Sequence, residues 1–442
     1  MNRLLLIRFI IIFTLFSYTN GFCFFNLESI IIFGFPLFDY STVILFLYLL
    51  LSYNKERKRF TPLNYVVWGY LILSTLIIIS MPFREKESLI DAFHVGRHFY
   101  LLLLTFVIED EIYYSGNIKF IRNLIYILGI FYTFISLANY ILPDFANNFL
   151  PGIRNEIGIR KGNMTRNVIA NNYGIVFVHF SFTLAFFSFI CNEKNSIWKS
   201  FLLIYLFIGI FAVGIRGIMF GTLMGCSIVF LTIMNRVSKW GLNYVLNQFK
   251  YFIFAIIIVL ITNNLSNNMI FGFADTVIND VTEQTIGSNT FQGREDRALN
   301  YQIPQVMRHP YTGLGFIYKG TAAAKKYDHD PSKSNAISNL YTIDFGYGTM
   351  WVMFGLIGGS LLMLLFIWSL FVINKYSREI ISEHMAQLAA IIISFLICNY
   401  TWAVLVYPLG LIIICFSVAI ANNYYETYNS SLIEKDVIPP VI

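Results

Sequence analysis

The sequence has few charged residues: Asp, Glu, Lys and Arg together make up only 13% of its 442 residues. A soluble globular protein has about 25% charged and about 45–50% apolar residues. Here 57% of the residues are hydrophobic and 18% are aromatic. This balance excludes a soluble enzyme, an intrinsically disordered protein and a nucleic-acid-binding protein. It indicates a membrane protein instead.

The sequence also lacks the usual motifs of metal, disulfide and nucleotide chemistry. Its cysteines lie in or beside apolar runs, and none forms a Cys-x-x-Cys pair, which predicts small packing residues. They are Cys23, Cys191, Cys226, Cys398 and Cys415. No glycine-rich phosphate loop is present, and we interpret Asp328-His329-Asp330 as a solvated turn rather than a metal–nucleotide motif. We therefore expect no cofactor and no metal ion.

Continuous apolar runs dominate what is present. A membrane-spanning helix needs about 20 apolar residues, and the runs predict about twelve such helices. They lie near 4–20, 36–53, 62–80, 92–108, 120–142, 168–190, 198–213, 217–234, 250–263, 346–372, 386–404 and 406–424. β-Barrel strands would alternate apolar and polar residues, which these runs do not. The predicted fold class is an all-α polytopic membrane bundle, and its first helix is an uncleaved one.

Short basic loops predict the orientation of the bundle. Lys55, Arg57, Lys58 and Arg59 form the densest short cluster, which places that loop and both termini in the cytoplasm. Residues 1–263 then hold nine helices with a short outer loop at about 143–170. Residues 264–345 form a large outer loop, and residues 346–442 hold three helices and a cytoplasmic tail.

The large outer loop is predicted to be an ordered, partly helical cap over the membrane domain, because long loops without a linker composition are usually functional. Leu299, Ile303 and Val306 recur at helical spacing between Arg294 and Arg308. Pro310 and Gly313 then end this amphipathic stretch.

Basic residues cluster on both outer loops. The first loop carries Arg154, Arg160, Lys161 and Arg166, and the second carries Arg294, Arg297, Arg308, Lys319, Lys325, Lys326 and Lys333. Guanidinium groups suit the bidentate capture of phosphate, so the pattern favours an anionic lipid head group such as a pyrophosphate. The alternative is solvated charge paired with Asp or Glu. Arg216 lies at the outer end of a span, where a charge is costly and usually functional.

Four segments together resemble the superfamily of O-antigen polymerases and O-antigen ligases, which are bacterial envelope glycosyltransferases. The first two are Arg160–Ala170 and Gly214-Ile215-Arg216-Gly217, the latter with Ile215 where that family usually has serine. The third pairs Gly293–Arg297 with the turn His309-Pro310-Tyr311-Thr312-Gly313-Leu314-Gly315, and the fourth pairs Asp344-Phe345-Gly346-Tyr347 with Gly355-Leu356-Ile357-Gly358. Ligases usually carry histidine at the position of Asp344, so the departure favours a polymerase.

The resemblance implies a GT-C-like fold in the bacterial inner membrane with its active face in the periplasm. It implies the polymerisation of polyprenyl-pyrophosphate-linked oligosaccharide units into O antigen or a similar surface polysaccharide, by transfer of the growing chain to a new lipid-linked unit. The expected partners are those lipid-linked oligosaccharides and membrane lipid, with a chain-length regulator and a flippase as candidate protein partners. Two alternatives stay open. One is a ligase that moves the chain to a lipid A core, and the other is a flippase, which would show midplane charges and broken helices.

The implied reaction needs positive charge at the leaving pyrophosphate and a general base for the acceptor hydroxyl. The candidate catalytic residues are Arg216, Arg294, Asp344 and Glu295. The candidate substrate-binding residues are Arg160, Arg166, Arg297, Arg154, Arg308 and Tyr347. Asp296 and His329 are further candidate bases. Asp344 could instead be a helix N-cap, and Arg297 could pair with Glu295 or Asp296.

Two helical patterns are interpreted structurally. Gly217, Gly221 and Gly225 recur every four residues, which predicts close helix packing that positions Arg216. His94 and His98 flank Arg97 at the outer end of a span. We interpret them as a polar interface, with a metal site as the alternative.

Overall fold

The apolar runs fold into helices. A computed structural model describes residues 3–25, 31–32, 35–52, 61–141, 155–159, 165–169, 173–191, 197–213, 216–236, 298–327, 341, 346–376, 383–401 and 404–437. Within these ranges the chain is almost entirely helical. The exceptions are two antiparallel hairpins, one pairing β1 (Ile31–Ile32) with β2 (Phe35–Pro36) and one pairing β3 (Asn155–Ile159) with β4 (Thr165–Ile169).

The helices of the first half are α1 (Arg3–Tyr18), α2 (Leu37–Leu51), α3 (Pro62–Arg84), α4 (Leu89–Gly96), α5 (Leu104–Ser115), α6 (Lys119–Ile141), α7 (Val176–Cys191), α8 (Ile197–Val213) and α9 (Arg216–Arg236). Those of the second half are α10 (Ile303–Arg308), α11 (Ala322–Lys326), α12 (Gly346–Tyr376), α13 (Glu383–Thr401) and α14 (Pro408–Val437). Short 3₁₀ turns at Arg97–Leu103, Tyr173–Ile175 and Val404–Val406 and a π-helical turn at Ala298–Gln302 join some of them.

Within the described residues, three stretches are long and apolar enough to cross a bilayer by length and composition: Pro62–Arg84, Lys119–Ala138 and Gly346–Leu365. Shorter apolar helices are Leu37–Leu51, Val176–Cys191, Ile197–Val213, Gly217–Thr232, His384–Tyr400 and Pro408–Tyr424. A helical bundle of membrane-protein character therefore agrees with the composition. The predicted span at 250–263 lies outside the described residues.

Two predicted spans differ from the observed elements. The run at 92–108 is divided into α4, a 3₁₀ turn and α5. The run at 168–190 begins as a helix only at Val176, because Thr165–Ile169 pairs with Asn155–Ile159 in a hairpin. Valine and isoleucine suit strands as well as buried helices, so an apolar run alone does not separate the two.

The predicted amphipathic stretch has a different buried face from the expected one. Val306 is buried, but Leu299 is 53% exposed and Ile303 is 45% exposed. Ala298, Gln302 and Gln305 share the buried side with Val306. These four positions keep helical spacing, so the stretch is amphipathic as predicted but packs through the face next to the expected one, with a π-helical turn at Ala298–Gln302.

The predicted packing of the glycine face of α9 is confirmed at two positions. A Cβ atom on Gly221 would lie 2.5 Å from the carbonyl oxygen of Ser394, and one on Gly225 would overlap Ser394 and Ala390. Both contacts are with α13, so the absence of side chains at these glycines lets the two helix backbones approach closely. His179 on α7 is buried beside this contact, and its Nδ1 lies 3.0 Å from the Thr222 hydroxyl.

A buried polar cluster joins five helices at the end of α3 opposite Arg84. Glu109 accepts hydrogen bonds from Asn64 at 3.1 Å and from Asn422 at 2.7 Å. Asp110 accepts one from Tyr48, and Glu111 pairs with Arg8 at 3.0 Å. Burying these carboxylates is tolerated because each one is hydrogen-bonded or paired with a cation. The cluster fixes α1, α2, α3, α5 and α14 relative to one another.

Candidate functional site

The predicted site residues are only partly within the described part of the chain. Arg216 is the first residue of α9, and Arg166 lies in β4. Arg308 ends α10, and Tyr347 lies in the first turn of α12. The others, Arg154, Arg160, Arg294, Glu295, Arg297 and Asp344, lie outside the described residues, as do the alternative bases Asp296 and His329.

The centre of the candidate site is a break in α12. Gly355 has φ +67° and ψ −176°, which a residue with a Cβ atom rarely adopts. In an unbroken helix the amide N–H of Leu356 would bond the carbonyl oxygen of Val352. Here Leu356 donates instead to Pro310 at 2.8 Å, and Val352 accepts from Leu314 at 2.7 Å. The turn at 310–314 therefore replaces the missing helical hydrogen bond with two bonds of its own.

This docking is possible because glycines face each other across the contact. A Cβ atom on Gly313 would lie 2.5 Å from the amide nitrogen of Gly355, and one on Gly355 would overlap the carbonyl oxygen of Tyr311. Gly313 itself has φ +65°. The structure thus brings together two motifs that are separate in the sequence, the Pro-x-x-Gly-x-Gly turn and the glycine pair beginning at Gly355.

The residues after the turn enter the bundle. Leu314 and Phe316 have no exposed surface. The Phe316 ring lies 5.5 Å from that of Phe99 and 5.3 Å from that of Phe354, between centroids. These are the offset and edge-on distances at which aromatic rings attract each other. Residues 310–317 are therefore inserted among α3, α12 and the 3₁₀ turn. Residues 310–327 are called the outer segment below, after the side of the membrane predicted for them.

Charged side chains at the end of α3 hold the same segment. Arg84 donates from Nη2 to the carbonyl oxygen of Gly313 at 2.6 Å. Glu85 accepts from the Tyr327 hydroxyl at 2.6 Å and pairs with Lys326 at 3.1 Å. Glu87 accepts from the Thr321 hydroxyl at 2.8 Å. For Lys326 the structure favours the paired-charge alternative over a lipid head group.

His309 lies at the start of the turn, half-buried among these charges. Its backbone carbonyl accepts from the N–H of Gly313 at 3.0 Å, and the carbonyl of Gly313 in turn accepts from Arg84. Burial lowers the pKa of the imidazole, and Glu85 opposes this shift. The cations Arg84, Lys326 and Arg308 lower the pKa further, and the balance leaves it below its ordinary value. This direction favours the neutral imidazole over the imidazolium.

A second cluster of polar side chains lies beside the segment. Arg97 donates from Nη1 to Asp39 at 3.0 Å and lies 2.8 Å from Nδ1 of His94. The rings of His94 and Tyr318 are 6.0 Å apart between centroids. This contact fits the polar interface predicted for His94. The His98 ring instead packs against the rings of Phe38 and Tyr18, so the prediction does not hold for it. Within the described residues, no group of three His, Cys, Asp or Glu side chains is placed to hold a metal ion.

Tyr347 uses its hydroxyl in helix packing. It donates to the carbonyl oxygen of Leu396 on α13 at 2.6 Å. Because α13 also packs against the glycine face of α9, the helices that carry Arg216, Tyr347 and the docked turn form one contiguous packed set. The Tyr347 hydroxyl therefore joins α12 to α13, a structural role that the substrate-binding prediction did not include.

The sequence reasoning missed Arg84, Glu85 and Glu87. They stand in a short charged run, Arg84-Glu85-Lys86-Glu87, directly after an apolar span whose outer end follows from the predicted orientation. A charged run between two spans is unremarkable by itself. Only its contacts with residues 313–327, more than two hundred positions away, give it a part in the site.

Comparison with known proteins adds no assignment, because no family model and no curated protein matches the chain.

Proposed function

We propose that the protein is a membrane glycosyltransferase that polymerises polyprenyl-pyrophosphate-linked oligosaccharide units into O antigen or a similar surface polysaccharide. In this proposal the chain crosses the bacterial inner membrane about twelve times, has a GT-C-like arrangement, keeps both termini in the cytoplasm and acts on the periplasmic face. Donor and acceptor are both lipid-linked. The growing chain leaves its pyrophosphate carrier and joins a hydroxyl of the next unit.

The observation that carries the proposal is the outer segment docked into α12. It brings Arg84, Arg308 and His309, whose imidazole pKa is lowered by burial, to the end of α3 that the charge pattern assigns to the outer face. A transfer between two lipid-linked substrates needs this combination, because the pyrophosphates require cations and the acceptor hydroxyl requires a base. Both substrates must also be reached from the membrane surface, and the predicted orientation has the segment enter the bundle there.

A flippase would also have a broken helix, and α12 is broken. In transporters the freed backbone groups of such a helix bind the substrate or its coupling ion. Here the freed groups of Val352 and Leu356 are both bonded to the turn. Because these backbone groups already form hydrogen bonds within the protein, they are not available to a substrate or ion. This favours a structural role for the break over a transport site.

Deleting the gene tests the proposal against both alternatives. We expect a lipid A core capped with a single repeat unit and no longer chains. Uncapped core with long polymer on the carrier lipid would identify a ligase instead. Single units trapped on the cytoplasmic face would identify a flippase.

Replacing Arg216 tests the predicted cationic site in the same strain. Arg216→Ala should abolish chain growth while the protein stays in the membrane, because a developing pyrophosphate charge would lose its partner. Arg236→Ala, at the other end of the same helix, is the matched control and should support full chains. Full-length chains with Arg216→Ala would remove Arg216 from the site.

A further inference from the structure

The described part of the chain holds a titratable group that the sequence-based site did not include. His309 precedes the docked turn, and its backbone is bonded on both sides. Its N–H donates to Gln305 at 3.0 Å, its carbonyl accepts from Gly313 at 3.0 Å, and the next residue, Pro310, accepts from Leu356. The residue is partly buried, neither enclosed in the core nor fully exposed. A side chain on a backbone fixed in this way, and not enclosed in the core, can present a ring nitrogen to a bound molecule.

The groups around the ring come from three elements. Arg84 and Glu85 end α3, Arg308 precedes the ring on its own helix, and Lys326 ends α11. Glu85 already binds the Tyr327 hydroxyl and the Lys326 ammonium, so this carboxylate is committed to holding the segment. Arg308 is exposed, and Arg84 uses Nη2 to donate a hydrogen bond to the carbonyl oxygen of Gly313. His309 is thus a base set among cations that can bind phosphate oxygens.

We propose that His309 is the general base of the polymerisation reaction. The assignment rests on the proposed function. An imidazole nitrogen of His309 accepts the proton of the acceptor hydroxyl, and the hydroxyl oxygen bonds to the anomeric carbon of the donor chain. The bond from that carbon to the phosphate oxygen breaks, and the polyprenyl pyrophosphate leaves with the electron pair. The imidazolium then releases its proton to the leaving pyrophosphate or to water, which restores the base.

The neighbouring cations have two effects on this step. Together with burial, which is the larger cause, they lower the pKa of the imidazole and so favour the unprotonated form that a general base requires. Arg308 and Arg84 also attract the acceptor's own pyrophosphate, which brings its sugar hydroxyls near the ring. The same charges therefore serve deprotonation and acceptor binding.

The test uses the full-length protein in liposomes and the lipid-linked repeat unit that accumulates in cells lacking the gene. His309→Gln keeps a polar side chain of similar size but removes the base. We expect kcat to fall about 100-fold or more, the usual worth of a general base, with KM changed less than about threefold. His384→Gln, on α13 beside Gln387, is the matched control and should keep wild-type kcat.

Two further readouts separate a base from a structural residue. The wild-type rate should fall as the pH drops through a value below the ordinary pKa of histidine, and the remaining rate of His309→Gln should lack this limb. Free imidazole should restore part of the rate of His309→Ala, since it can enter the space left by the ring. Folding of each variant is checked by its elution as a single species in detergent.

The outcomes are distinguishable. If the wild type makes no polymer from the lipid-linked unit, the proposed function itself is wrong. If the wild type polymerises and folded His309→Gln retains more than about a third of its kcat, the base is another residue and the function stands. A folded His309→Ala that has lost activity but gains nothing from imidazole also overturns the assignment.

Discussion

Replacing Gly355 by alanine should detach the turn at residues 310–314 from α12. Alanine at φ +67° and ψ −176° is strained by about 1–3 kcal/mol. Its Cβ atom would also overlap the carbonyl oxygen of Tyr311, so the turn must move and the bonds Leu356 to Pro310 and Leu314 to Val352 are lost. Two backbone hydrogen bonds contribute about 1 kcal/mol each, which brings the total to about 3–5 kcal/mol.

The measurement is the free energy of unfolding from an SDS titration in mixed micelles, followed by tryptophan fluorescence. Gly320→Ala is the matched control, because Gly320 has φ +93° but no heavy atom within 4 Å of a Cβ atom. It should lose only the backbone strain, about 1–2 kcal/mol. If Gly355→Ala costs no more than Gly320→Ala, the docked turn does not stabilise the broken helix and the description of the site is wrong.

The remaining predictions concern the two contacts that hold the site in place. Glu85→Ala should cost about 2 kcal/mol in the same titration, because the buried carboxylate accepts from Tyr327, whereas Lys326→Ala should cost less than about 1 kcal/mol, since that side chain is 62% exposed. Equal losses of unfolding free energy in the two variants would contradict the larger contribution of Glu85. Gly225→Val should collide with α13 and reduce the fraction that elutes as a folded monodisperse species, whereas Gly69→Val, in open space on α3, should not. Similar elution of the two would argue against close packing of α9.

Composition and periodicity predicted the coarse fold because a bilayer constrains it strongly. Runs of about 20 apolar residues must become helices, since lipid leaves no other partner for the backbone. The glycine spacing on α9 likewise predicted a helix contact before its partner, α13, was known. These are local patterns, and one sequence suffices to read them.

The break at Gly355 could not be predicted in this way. An apolar run gives no sign that one peptide group inside it is bonded to a turn some forty residues earlier. The same holds for Arg84 and Glu85, whose importance depends on contacts across more than two hundred residues. Long-range pairing of this kind follows from packing and leaves no local periodicity in the sequence.

The most direct test of the central claim is polymer synthesis by the purified protein in liposomes that contain only the lipid-linked repeat unit. We expect a ladder of chains, each longer than the last by one unit, with release of polyprenyl pyrophosphate in equal amount. No nucleotide sugar should be needed, because the pyrophosphate bond of the donor supplies the free energy. Units that stay single, even when the protein is folded and both leaflets are accessible, would contradict the account.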